Sequence, residues 1–177
     1  MFVIYYTGIA GGSSRSTLQA GWRRSINLNL SAMVEASYAA RDIMISQPLL
    51  SQLGNVRGII VNTASMGGLL SMPYDPVYAA SKWGAVGFSL SCADAWEVDG
   101  VKVQCLCPSF VDTKLVQNEL SQNEEFRDAV VETGMVPVET VAHAAQRLLF
   151  EEKAGTVYRV TAQKGVETHS VWGRQHK

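Results

Sequence analysis

The stretch Gly58-Ile-Ile-Val-Asn62 is an unbroken apolar run with β-branched residues at its centre. Strands buried on both faces of a parallel sheet read this way, because neither face turns polar side chains to water. A helix reading follows over Tyr78 to Trp96, rich in alanine and preceded by Pro76 as a start signal. Val101-Lys-Val-Gln-Cys-Leu-Cys107 then reads as another strand, stopped by Pro108. Upstream of this unit, Phe2 to Tyr6 is a short β-prone run ending in Thr7-Gly-Ile-Ala-Gly-Gly12. From about Gly21 to Gln47 the chain has no proline, and Ile26, Leu30, Met33, Val34 and Ser37 fall near helical spacing. Downstream, Asp112 to Thr133 is polar with one or two short helices, and Val138 to Glu152 is a helix opened by Pro137. Thr156-Val-Tyr-Arg-Val-Thr161 is the last strand. Strands alternating with helices predict an α/β fold, a doubly wound parallel sheet of Rossmann-like type with right-handed crossovers and helices on both faces. One domain spans 1–177, and 166–177 is expected to be a loose polar tail.

Composition narrows the function classes. The 177 residues suit one domain with its own core. Hydrophobic residues make up 47 % and charged residues 18 %, the balance of a globular protein. With a net charge of -1 and no basic stripe, neither nucleic acid nor an anionic membrane is an expected partner. The apolar N-terminal run is too short for a signal peptide and no run is long enough to cross a bilayer, so a reducing, cytoplasmic setting is expected. Cys92, Cys105 and Cys107 are odd in number and form no CxxC pair, which argues against a disulfide framework or a zinc site. They read as small buried hydrophobes. His143 has no second ligand at metal-binding spacing, so no metal is expected.

The chemistry concentrates in Asn62-Thr-Ala-Ser-Met-Gly-Gly-Leu-Leu-Ser-Met-Pro-Tyr-Asp-Pro-Val-Tyr-Ala-Ala-Ser-Lys82. Tyr78 and Lys82 lie four apart, on one helical face about one turn from each other. A lysine cation there favours the phenolate and lowers a pKa that starts near 10. A tyrosine so tuned can serve as a general base at neutral pH. Ser65 follows a strand, at the sheet edge where doubly wound folds bind ligands, and could hold a substrate oxygen beside Tyr78. Alone, the Tyr–Lys pair also reads as an amphipathic tyrosine next to a solvated lysine. The order strand, serine, glycine-rich turn and tyrosine-bearing helix is what favours the chemical reading.

This segment resembles the active-site signature of the short-chain dehydrogenases/reductases. Ile26-Asn-Leu-Asn-Leu30 resembles the helix motif carrying the family's catalytic asparagine, here Asn29. Cys107-Pro-Ser-Phe-Val-Asp-Thr113 resembles the turn that meets the nicotinamide end of the cofactor. Pro76 to Phe88 and Thr161-Ala-Gln-Lys-Gly165 look similar to hydroxyprostaglandin dehydrogenase-like members. The resemblance implies hydride transfer between a secondary alcohol or ketone, of hydroxy-fatty-acid or prostaglandin type, and NAD, with NADP left open. It implies that Tyr78 takes the hydroxyl proton, Ser65 holds the substrate oxygen, and Lys82 tunes Tyr78 and binds the nicotinamide ribose. Asn29 would anchor a water through a local break in its helix. Gly8, Pro108, Val111, Asp112 and Thr113 would complete the cofactor contacts. It further implies a homodimer through the helices around 21–47 and 78–96.

Three departures from the family pattern follow. No Gly-x-x-x-Gly-x-Gly turn precedes Phe2, so the first βαβ units, roughly 60 to 90 residues at about 30 or more per unit, are expected to be missing. The family's Asn-Asn-Ala-Gly turn stands here as Tyr5-Tyr-Thr-Gly8, and Ser109 replaces a glycine. Asp75 occupies a substrate-facing position where prostaglandin-type members carry glutamine. Besides the redox reading, the sequence allows a catalytically silent fragment that acts as a dimerisation module or is unstable. A sugar-nucleotide epimerase would need a larger C-terminal domain.

Overall fold

The computed structural model describes residues 2–5, 21–151 and 153–170. Among the described residues five strands form one sheet in the order β1 (Phe2–Tyr5), β2 (Gly58–Thr63), β3 (Val101–Pro108), β4 (Val157–Thr161) and β5 (Gly165–Thr168). The first four run parallel, with Asn62 opposite Cys105 and Cys107 opposite Arg159, and β5 returns antiparallel on β4. All residues of β2 and β3 are buried, as an apolar run enclosed between two helical layers must be.

The alternation of side chains sorts the core onto two faces. Ile59, Val61, Leu106, Tyr158 and Val160 pack against Ala144, Ala145 and Leu148 of α6 (Val138–Leu148). Ile60, Val103, Cys105 and Cys107 face the other layer, built from α2 (Ala32–Met44) and α3 (Pro76–Ala95). Leu148 is wholly enclosed. Leu148→Ala is therefore expected to cost about 2–5 kcal/mol of unfolding free energy, read by chemical denaturation. A loss under about 1 kcal/mol would contradict this packing.

The connections depart from expectation in one respect. The crossovers β1→β2 and β2→β3 pass over the α2/α3 face, whereas β3→β4 passes over the α6 face while the sheet keeps growing in the same direction. Its hand is thus opposite to that of the two before it. The preference for one hand belongs to compact βαβ units. This connection also holds α4 (Lys114–Gln122) and α5 (Glu124–Thr133), so it is long enough to escape that constraint.

Element boundaries also shift. The helix expected over 21–47 is α1 (Gly21–Ile26), a π-helical turn over Asn27–Ser31, and α2, which ends at Met44. The last helix stops at Leu148, short of the expected 152. The tail expected to be loose from 166 is paired as far as Thr168, because Gly165, at φ 66°, turns the chain back on itself. Arg159 and Glu167 then form an ion pair across the strands at 2.9 Å. Residues 171–177 lie outside the described residues. Among the described residues no helix is long and apolar enough to cross a membrane, and no group of side chains could hold a metal ion.

Candidate active site

Three parallel strands deliver the site. Ser65 follows β2, Pro108 closes β3, Thr161 closes β4, and all three line one cavity of about 360 Å³ at the carboxyl ends of the strands. That is where open α/β sheets bind ligands. Tyr78, Lys82, Asp75, Val111 and Thr113 line the same cavity. The fold therefore brings together most of the residues singled out in the sequence. Asn29 does not line the cavity, and Asp112 is exposed, accepting a hydrogen bond from Gln117 Nε2 at 2.7 Å. Gly8 lies outside the described residues.

Local chemistry explains how α3 presents Tyr78 and Lys82. Pro76 stands in the first turn, and the Asp75 carboxylate caps the helix by accepting from the Tyr78 backbone N–H at 3.0 Å. Ser81 Oγ donates to the Tyr78 carbonyl at 2.7 Å and accepts from Asn29 Nδ2 at 3.2 Å. Asn29 thus reaches the site through the helix that bears Tyr78. It sits within the π-helical turn, where the Ala32 N–H bonds to the Asn27 carbonyl, five residues back. The break expected in this helix is therefore a π-bulge.

A second polar link was not visible in the sequence. Ser37 Oγ donates to Asn62 Oδ1 at 3.2 Å, and Asn62 Nδ2 donates to Ser89 Oγ at 3.1 Å. These buried groups tie α2, β2 and α3 together, and such networks hold one arrangement because breaking them leaves polar atoms dry. Their signal is Asn62, a polar residue at the end of the apolar run of a strand enclosed on both faces.

Lys82 is only 2 % exposed. Its ammonium lies 5.5 Å from the centre of the Tyr78 ring and donates to the Thr63 carbonyl at 3.4 Å. Burial lowers its pKa from 10.5 to about 8, although the Cys105 and Cys107 thiols on the neighbouring strand pull it upward. Ser65 Oγ accepts from the Gly67 N–H at 3.2 Å and donates to the Pro108 carbonyl at 3.4 Å, which anchors the hydroxyl between two strand ends.

Two glycines allow this approach. A Cβ on Gly68 would meet the Lys82 carbonyl oxygen at 2.6 Å, and one on Gly67 would lie 3.3 Å from the Tyr78 ring. The turn after Ser65 therefore rests directly on the backbone of α3. Gly68→Ala is expected to cost about 1–3 kcal/mol in stability and to slow any reaction that needs Ser65 beside Tyr78. An alanine variant with unchanged denaturation and activity would refute this close-packing account.

The outer wall was not foreseen. Phe110 and Phe126 meet at 5.0 Å between ring centres, and Tyr74 meets Phe126 at 5.8 Å, so α5 and the turn before α3 build an aromatic side. Glu119 of α4 lines the cavity too, and burial followed by the nearby Asp75 charge raises its pKa. Of the aromatic residues on α3 and at its end, Trp96 is buried and Phe88 is half-buried, whereas Trp83 is 53 % exposed. Cys92, Cys105 and Cys107 are free and buried, and His143 is exposed.

The strand ends thus gather a serine, a tyrosine and a buried lysine around one cavity. The chain belongs to the short chain dehydrogenase family, whose model matches residues 3–124. It is 29 % identical over 160 residues to 15-hydroxyprostaglandin dehydrogenase [NAD(+)] of Mus musculus, covering 84 % of this chain and 58 % of that protein. The chain thus spans little more than half the length of that curated relative. Levodione reductase superposes with a TM-score of 0.75 at 22 % identity, covering 93 % of this chain and 66 % of that one. ElxO with NADP bound superposes with a TM-score of 0.69 at 21 % identity, covering 89 % of this chain and 64 % of that one.

Proposed function

We propose that this chain carries the catalytic centre of an oxidoreductase that interconverts an apolar, lipid-like secondary alcohol and its ketone using a nicotinamide cofactor. The observation that carries the reading is that Ser65, Tyr78 and Lys82 line one cavity, with the Lys82 cation 5.5 Å from the Tyr78 ring. Bound there, the nicotinamide would supply or accept the hydride. Its redox end fits the cluster of Lys82, Pro108, Val111 and Thr113, which share the cavity with Tyr78.

The roles of the chain's own groups follow from their chemistry. Ser65 Oγ orients the substrate oxygen. Tyr78 takes the hydroxyl proton in oxidation and returns it in reduction. Lys82 stabilises the phenolate and reaches the nicotinamide ribose. Asn29 donates to Ser81, which bonds the Tyr78 carbonyl, and its role is to hold α3 in place and to anchor a relay water. The aromatic wall excludes water, which strengthens every charge interaction inside. NAD is the favoured cofactor, in line with the name of the mouse relative. Exposed Tyr38 and Ile43 on α2 and Trp83 on α3 suit a homodimer contact through those helices.

Titrating the 177-residue chain with NAD and NADP by calorimetry, then following the reduced-nicotinamide absorbance with a panel of secondary alcohols, tests the reading. Micromolar binding and turnover of an apolar member are expected. Cofactor binding without turnover of any alcohol would remove it. Absence of dinucleotide binding would favour the silent-fragment alternative.

A further inference from the structure

The residues gathered at the cavity sit on two elements that must keep step. Ser65 follows β2, and β2 also offers the Thr63 carbonyl to the Lys82 ammonium. Tyr78 and Lys82 belong to α3, one unbroken helix of 20 residues. How Ser65 and Tyr78 meet a substrate oxygen therefore depends on the axial register of α3 along β2. Apolar packing fixes that register poorly. The side chains that α3 buries are mostly small, Ala79, Ser81, Ala85 and Ser89 among them. Hydrophobic burial is non-directional, so so smooth a face can slide by part of the roughly 1.5 Å rise per residue at little cost. The turn at Gly68 rests on α3 and sets how closely the two elements approach, which is a separate coordinate.

Directional contacts supply what packing lacks. Asn62 is fully enclosed and lies near the end of β2, just ahead of Ser65. Its Nδ2 donates to Ser89 Oγ of α3 at 3.1 Å, and Ser89 Oγ donates onward to the Ala85 carbonyl at 2.7 Å. Its Oδ1 accepts from Ser37 Oγ of α2 at 3.2 Å. Ser37 and Ser89 are each 1 % exposed, so bulk water cannot stand in for either partner. The amide thus grips α3 while α2 braces it from the other side. Asn29 also reaches α3, through Ser81, but from the π-helical turn and not from the strand that leads to Ser65. A second link between β2 and α3, from Lys82 to the Thr63 carbonyl, is longer at 3.4 Å and uses a side chain assigned to the reaction itself.

We propose that Asn62, braced by Ser37 and acting through Ser89, is a positioning residue that holds α3 at the register where Tyr78 meets the oxygen oriented by Ser65. This rests on the proposed roles of Ser65 and Tyr78 in alcohol oxidation. Ser89 stands about 16 Å along the helix from Tyr78 at roughly 1.5 Å per residue, so the effect passes through α3 as a rod. Tyr78 and Lys82 share that rod, and a slide leaves their mutual geometry alone while changing their distance from Ser65. Misplacing reacting groups by about 1 Å costs up to about 10²-fold in rate.

Ser89→Ala tests the proposal, because alanine suits a helix interior and the change removes a single oxygen. Oxidation of octan-2-ol with NAD, or of whichever alcohol in the panel is fastest, is followed at limiting and saturating alcohol. In the folded variant kcat is expected to fall about 10- to 100-fold, while KM and the NAD dissociation constant stay within about twofold. Asn62→Ala should match it, and the double variant should be no slower than either single one, since both changes break one link. In a Ser65→Ala background, adding Ser89→Ala should change the single-turnover rate by less than about threefold. A merely structural role would lower the denaturation midpoint and leave both kcat per folded molecule and this distant coupling unmoved. Should Asn62→Ala fail to fold, Ser89→Ala in the two backgrounds carries the test. An unchanged kcat in folded Ser89→Ala, or the same loss with and without Ser65, would overturn the proposal. A wild type that oxidises no alcohol defeats the redox reading and this inference with it, whereas an active wild type with an equally active variant defeats the positioning role alone.

Discussion

Replacing Tyr78 with phenylalanine is expected to lower nicotinamide-linked alcohol oxidation by about 10²- to 10⁴-fold, mainly in kcat, while leaving the fold intact. The change removes one oxygen from a ring that is half-buried and held against Gly67, so its apolar packing survives. The cap from Asp75 and the bond from Ser81 both engage the backbone of residue 78 and are indifferent to the side chain. What disappears is the group that exchanges a proton with the substrate hydroxyl. Among the described residues lining the cavity, the remaining titratable groups are Tyr74, Asp75, Lys82 and Glu119. Lys82 donates to the Thr63 carbonyl, and Asp75 is engaged at the helix cap. Single-turnover absorbance measurements with the variant, paired with its denaturation curve, check both halves. A loss under tenfold in a folded variant would show that Tyr78 is not the proton-transfer group.

The parts of this protein legible in the sequence are those where one physical requirement dominates. Gly58 to Asn62 reads as a central strand because its β-branched run Ile59-Ile-Val61 is too short for a buried helix and turns no polar side chain outward. Tyr78 and Lys82 could be placed on one face because helical spacing leaves no alternative over four residues. Illegible features depend on tertiary partners. Gly165-Val-Glu-Thr168 lacks an apolar pattern, since β5 is an edge strand held by one neighbour and by the Glu167–Arg159 pair. Asp112 and Thr113 are adjacent, yet only Thr113 faces the cavity, because the chain turns there into α4 and Thr113 caps it by accepting from the Val116 N–H. Glu119 and Phe126 lie in the polar stretch from Asp112 to Thr133, where the sequence carries no site signal. Their meeting over the site follows from how the long β3→β4 connection folds back, which no local pattern encodes.

Lys82→Met is expected to raise stability while abolishing activity. Burial lowers the Lys82 pKa from 10.5 to about 8, so at pH 7 the folded chain keeps a cation that water would hold more cheaply. At about 1.4 kcal/mol per pKa unit, that costs up to about 3 kcal/mol. Methionine fills a similar volume without the charge, and gives up the 3.4 Å hydrogen bond to the Thr63 carbonyl and the approach to the Tyr78 ring. The sign with pH follows from proton counts. Between pH 8 and 10.5 the unfolded lysine is protonated and the folded one is not, so wild-type stability rises with pH relative to the variant. The advantage of Lys82→Met is thus largest below pH 8 and shrinks to under about 1 kcal/mol near pH 10. Tyr78, Cys105 and Cys107 face the ammonium, and making Lys82→Met in a Tyr78→Phe background removes the phenol's own titration from the comparison. A variant less stable than wild type at pH 7, or a difference flat with pH, would mean that the buried ammonium is compensated by its surroundings and is not held at a cost for chemistry. The expected pairing of higher stability with lost turnover is what distinguishes a functional cation from a structural one, since a lysine kept for packing alone would lose nothing by becoming methionine.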